Sequence, residues 1–98
     1  VVETKKSLSL VMIEWTDSYS VGDSVWVKAS ELEGVPVPNP HYSVGWVLAR
    51  SAEAITLVPH VGVYAGEVVS TCGNLTIPVC SISCITKIAA PRGLRLTK

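Results

Sequence analysis

Two histidines, three cysteines and eight carboxylates are the reactive groups of this 98-residue chain. A nucleophile needs a base within hydrogen-bond reach, and the base needs a group that orients it. His41 follows Pro38-Asn39-Pro40 and His60 follows Pro59. Either could meet Asp17 or Ser18, yet nothing in the spacing requires it. No G-x-S-x-G, phosphate-loop, paired-cysteine or H-E-x-x-H element occurs. Cys72, Cys80 and Cys84 are odd in number, which speaks against a closed disulfide framework. Cys80 and Cys84 have no second ligand pair to complete a four-ligand zinc site, so the thiols are expected to be small buried packing groups. The expectation is a protein that is not an enzyme, with no catalytic residues, no metal and no cofactor.

Binding chemistry is better represented. The aromatics are Trp15, Tyr19, Trp26, Tyr42, Trp46 and Tyr64, with three Trp and no Phe. Indole offers a flat stacking face and one N–H donor, suited to a base, a sugar or a partner's anchor residue. Trp46, beside Gly45 in an apolar run, reads as core. Trp15 and Trp26 flank a polar turn in which Asp17, Ser18 and Tyr19 present hydrogen-bonding groups, although Asp and Ser in turns often bond their own backbone. Arg50 ends an apolar run, and its guanidinium fork matches phosphate geometry unless it is simply a surface group. The candidate ligand-binding residues are therefore Trp15, Asp17, Ser18, Tyr19, Trp26 and Arg50.

Those groups must be positioned by strands. Apolar residues make up 48% and charged residues 16%, a composition that disfavours disorder and leaves apolar surface for an oligomer or partner interface. Residues 8–15 form an eight-residue strand apolar on both faces, as in a barrel wall or an interface. A polar turn follows at 16–23, then a short strand at 24–29 and a capped helical turn at 30–33. Prolines 36, 38 and 40 impose an extended loop. Residues 42–50 and 54–60 read as a hairpin, with Gly45 marking a bend or close backbone approach. A glycine-rich hairpin or loop spans 61–73, a strand broken by Pro78 covers 74–79, a helical turn covers 78–81, and a last strand covers 81–87. The fold class is all-β: a small SH3-like or Sm-like barrel of about five to six strands, with a short helical turn before the last strand. A small open sandwich is the alternative. The expected organisation is a flexible lead-in at 1–7, one barrel domain at 8–88, and a basic C-terminal tail at 89–98.

Charge is divided along the chain. Residues 1–67 hold all eight acids and four bases, net −4, while Lys87, Arg92, Arg95 and Lys98 give the rest +4. Four charges make a weak footprint for nucleic acid. No run reaches the roughly 20 apolar residues of a membrane span, and no signal pattern opens the chain, so a cytoplasmic protein without a membrane partner is expected. Opening at Val1 without Met, the chain is expected to have lost a few N-terminal residues.

Ile13-Glu14-Trp15 with Asp17-Ser18, then Ser43-Val44-Gly45-Trp46, then Ile77-Pro78 with Ile82, Ile85 and Ile88 resemble small proteins encoded by bacteriophages and prophages. The similarity covers about residues 10–88 and departs at the longer proline-rich segment 33–41. It implies a viral accessory protein with an SH3-like or Sm-like barrel, and supplies no catalytic residues. The resulting expectation is a non-enzymatic binding protein, acting as a homo-oligomer in the host bacterial cytoplasm. It would sequester a small anionic, nucleotide-like signal or block a host defence protein. The alternatives are an Sm-like ring for single-stranded RNA, a structural part of the virion, or a small hydrolase using His41 or His60.

Overall fold

Alternating branched side chains become strands wherever glycine and proline permit. The computed structural model describes residues 5–17, 26, 28–31, 34, 38–90 and 93–97. Among these residues nine strands follow in chain order: β1 Lys5–Leu8, β2 Leu10–Thr16, β3 Pro40–Arg50, β4 Ala54–Val58, β5 His60–Tyr64, β6 Glu67–Cys72, β7 Leu75–Pro78, β8 Ile82–Ile88 and β9 Leu94–Thr97. Among the described residues helical structure is limited to two 3-10 turns, Ala29–Glu31 and Val79–Ser81. The fold is all-β.

The strands form two sheets rather than a closed barrel. The larger is antiparallel in the order β7-β4-β3-β2-β8, and the smaller runs β1-β9-β6-β5. Closure fails because β7 and β8 occupy opposite edges of the larger sheet. Pro59 and Gly73 interrupt the two arms of the 54–78 hairpin at the same level, the Pro59 ring lying against Gly73. Beyond that break the hairpin leaves the larger sheet as β5 and β6. The strand before β7 and the strand after β8 then meet through a single parallel pair, Glu67↔Arg95. Overall extents of 65 × 25 × 23 Å and a radius of gyration of 18.2 Å describe an elongated molecule. A compact chain of this length would have a radius near ~13 Å.

The 3-10 turn at Val79–Ser81 lies where a helical turn is expected, but two strands follow it. Residues 5–7 of the expected lead-in, together with Leu8, pair with residues 94–97 of the expected tail as β1 and β9. The strand expected at 24–29 falls partly outside the described residues, and Trp26 and Lys28 are not in a strand. The turn Ala29–Glu31 lies close to the helical turn expected at 30–33. Positions 35–37 of the proline-rich loop lie outside the described residues. All three cysteines are exposed, which corrects the expectation of buried thiols. Cys84 sits on an edge strand, and Cys80 lies in the second 3-10 turn, where no residue is buried.

The core lies on one face of the larger sheet. Val11 and Ile13 of β2, Ile55 and Leu57 of β4 and Ile77 of β7 form its buried cluster, with Trp15, Val47 and Ile82 packed against it. Burying each such side chain contributes about 1.5–3 kcal/mol. Gly45 lets β4 approach, because a Cβ there would lie 2.9 Å from the Val58 carbonyl oxygen and 3.3 Å from Leu57 Cβ. The β5–β6 hairpin turns through Ala65 and Gly66, both at positive φ, 52° and 79°. That is the two-residue type I′ requirement, which Asn or Gly meets more easily than Ala.

Two stability changes follow. Gly45→Ala should lower unfolding free energy by about 1–3 kcal/mol through overpacking against β4. An unchanged denaturation midpoint would contradict the close approach. Ala65→Asn should raise stability by about 0.5–1 kcal/mol by relieving the left-handed alanine. Thermal melts of the two proteins provide the comparison, and a lower melting temperature would contradict the assigned turn.

Candidate functional site

Two β-bulges decide which side chains share the core face. Along β2, alternation sends Val11, Ile13 and Trp15 to one side. On β3 their partners are Gly45, Ser43 and His41. Plain alternation would continue through Val47 to Ala49. Instead the β3–β4 register shifts, so that Val47 pairs with Leu57, Ala49 with Thr56 and Arg50 with Ile55. Leu48 is the extra residue. The shift brings Arg50 to the face carrying Ile55. A bulge of this kind re-aims a side chain near a site. The second bulge lies at Ser83, between the pairs Glu14↔Cys84 and Trp15↔Ile82. The Ser83 hydroxyl contacts the Glu14 main-chain oxygen at 3.1 Å and its Oε2 at 3.2 Å.

The uncovered end of this face is a groove of about 280 Å³. Its floor and wall are Val11, Ile13, Val47, Ile55 and Ile85. Among the described residues its polar lining consists of Ser7, Ser9, Arg50 and Lys87, with no Asp or Glu and no aromatic ring. Lys87 pairs with Val11 across β2–β8, and Ile85 with Ile13. Since β2 separates β3 from β8, the strands bearing the two cations stand about 10 Å apart across the sheet. Ser9 occupies the junction of β1 and β2, where its carbonyl accepts a 2.8 Å hydrogen bond from the Val47 N–H. Two cations, two hydroxyls and an aliphatic floor can hold an oxyanion with an apolar portion.

Comparison with protein-family models, with curated proteins and with solved structures returns no match. The site is therefore read from its own chemistry.

Of the four expected ligand residues that are described, Trp15, Asp17, Trp26 and Arg50, Arg50 alone lines the groove. Trp15 lies toward the other end of β2, half-buried against the core, and its Nε1 donates to Ser43 Oγ at 3.0 Å. Its ring centroid is 5.0 Å from that of His41, tilted by 40°. Asp17 is exposed just beyond β2. Trp26 is 99% exposed in the β2–β3 connection. Ser18 and Tyr19 lie outside the described residues. Trp46, read as core, is half-buried on β3. His60 is exposed at the start of β5, opposite Cys72. Among the described residues no group of three His, Cys, Asp or Glu converges, and no helix is long and apolar enough to cross a membrane.

Ser7, Ser9 and Lys87 are groove residues that the sequence reading passed over. The alternation Ser7-Leu8-Ser9-Leu10 is a local strand signal for the serines. Lys87 has no such signal, because its place depends on β8 pairing with β2 across more than 70 residues.

Proposed function

We propose that this protein is a non-enzymatic binding protein that holds a small phosphate-bearing ligand in the groove between Arg50 and Lys87. The observation that carries the reading is the groove's charge: among the described residues two cations and two hydroxyls line it, and no carboxylate does. Arg50 supplies a planar fork for two oxygens, Lys87 a second positive charge, and the serines neutral hydrogen bonds. A closed barrel would have covered this face with its own strands. The half-open sheet leaves it available.

The order β8-β2-β3-β4-β7, the long β2–β3 connection and the 3-10 turn between β7 and β8 support an SH3-like plan whose β4–β7 hairpin is extended by β5 and β6. Apolar side chains on the surface support a homo-oligomeric state. Tyr42 and Val44 of β3 are 60% and 52% exposed, and Tyr64 at the hairpin tip is 76% exposed. An accessory role in phage infection, by sequestering a host signal, rests on the sequence resemblance.

Calorimetry with inorganic phosphate, pyrophosphate and a panel of cyclic and linear nucleotides tests the reading. At least one member should bind, with affinity falling tenfold or more in Arg50→Ala and in Lys87→Ala, as expected for charge-assisted hydrogen bonds worth about 1.5–3 kcal/mol. Trp26→Ala should bind as the parent does. Absence of heat for every member, or binding indifferent to both cation changes, removes this function.

A further inference from the structure

The lining of the groove also says what the phosphate should be attached to. We propose that the ligand is a phosphate monoester of a short aliphatic chain, an inference that rests on the binding function proposed above and narrows it.

Beyond the four polar residues, the described lining of the groove is Val and Ile side chains. Val11, Ile13 and Ile55 are 5%, 0% and 1% exposed, so the floor is firmly packed. Ile85 is 39% exposed on the edge strand β8, so the wall above it has apolar surface to cover. A nucleobase gains its affinity from stacking on aromatic or guanidinium planes and from edge hydrogen bonds. Among the described residues no aromatic ring lines this groove, and the one planar cation there, Arg50, is needed by the phosphate. Branched aliphatic walls instead suit methylene and methyl groups, whose transfer from water is favourable and roughly proportional to buried area.

Size points the same way. A volume of about 280 Å³ lies at or below the roughly 300–1,000 Å³ of pockets that hold drug-sized ligands. It accommodates one head group and a few carbons, not a dinucleotide. Charge sets the head: a phosphate monoester carries about −1.5 to −2 at neutral pH, which matches two cations. A carboxylate of the same chain length carries half as much.

A homologous series of ethyl, propyl, butyl and pentyl phosphate, titrated by calorimetry beside inorganic phosphate and adenosine monophosphate, tests the proposal. Affinity should rise about three- to fourfold per added methylene until the groove is filled. Butyl phosphate should exceed adenosine monophosphate. Arg50→Ala should lower the whole series by a common factor. Ile85→Ser, at an exposed position, should flatten the dependence of affinity on chain length. If inorganic phosphate or a nucleotide binds through Arg50 but alkyl chain length has no effect, the aliphatic ligand is wrong and phosphate binding stands. If no phosphate compound binds, both fall.

Discussion

A single inserted residue, Leu48, governs the character of the groove face. In a strand, side-chain direction has a period of two, so one extra residue reverses every assignment beyond it. Before the bulge, β3 contributes Ser43 and Val47 to the side that Ile13 and Leu57 occupy. Beyond it, Arg50 takes that side and Ala49 the other. With strict alternation the groove would end in a methyl group and the guanidinium would stand on the opposite face. The cost of the bulge is one irregularity in the ladder. The long backbone run of β3 absorbs it, because Ser9 supplies an acceptor for the Val47 N–H beside the shift.

The groove and the failure to close have one origin. Five strands in this order would need their edges β7 and β8 to pair with each other. The hairpin containing β7 is instead broken at Pro59 and Gly73, and its outer half joins β9 in the second sheet. One parallel pair, Glu67↔Arg95, is what remains of closure. The core face is consequently packed near Ile55, Leu57 and Ile77, but left open toward Ile85 and Lys87. A protein with a small interior has little stability to spare, so a packed floor beneath an open groove is a balance between holding the fold and admitting a ligand.

What could be read from the sequence was what is local. The branched runs at β2, β3 and β4, the close approach at Gly45 and the helical turn near residue 80 are each specified by neighbouring residues. Arg50 was legible as a candidate because it ends an apolar strand and its fork matches phosphate geometry, and it lines the groove. Its companions were not. Lys87 acquires its role only when β8 is placed beside β2, and the bulge that directs Arg50 has no local marker in Trp46-Val47-Leu48-Ala49. The three cysteines illustrate the same limit. Residue type predicts burial on average, whereas here Cys84 lies on an edge strand, Cys80 in a 3-10 turn and Cys72 at the end of β6, and all three thiols are exposed. The described tryptophans lie away from the groove. Trp15 lies near the binding face in sequence but hydrogen-bonds Ser43 at the far end, away from the cations.

β2 is apolar on both sides, and one copy of the chain accounts for only one of them. Val11 and Ile13 are buried in the core, whereas Leu10 and Met12, on the reverse side, are half-buried. Their β3 partners are Trp46 and Val44, and Val44 is 52% exposed. The apolar stripe therefore continues across strands on the side away from the groove. Contiguous apolar surface of this kind is a usual feature of association between subunits. Because it lies on the opposite face of the same sheet, the proposed self-association through it would leave Arg50 and Lys87 open to solvent. Oligomer formation and ligand uptake would then draw on two sides of one strand without competing for either.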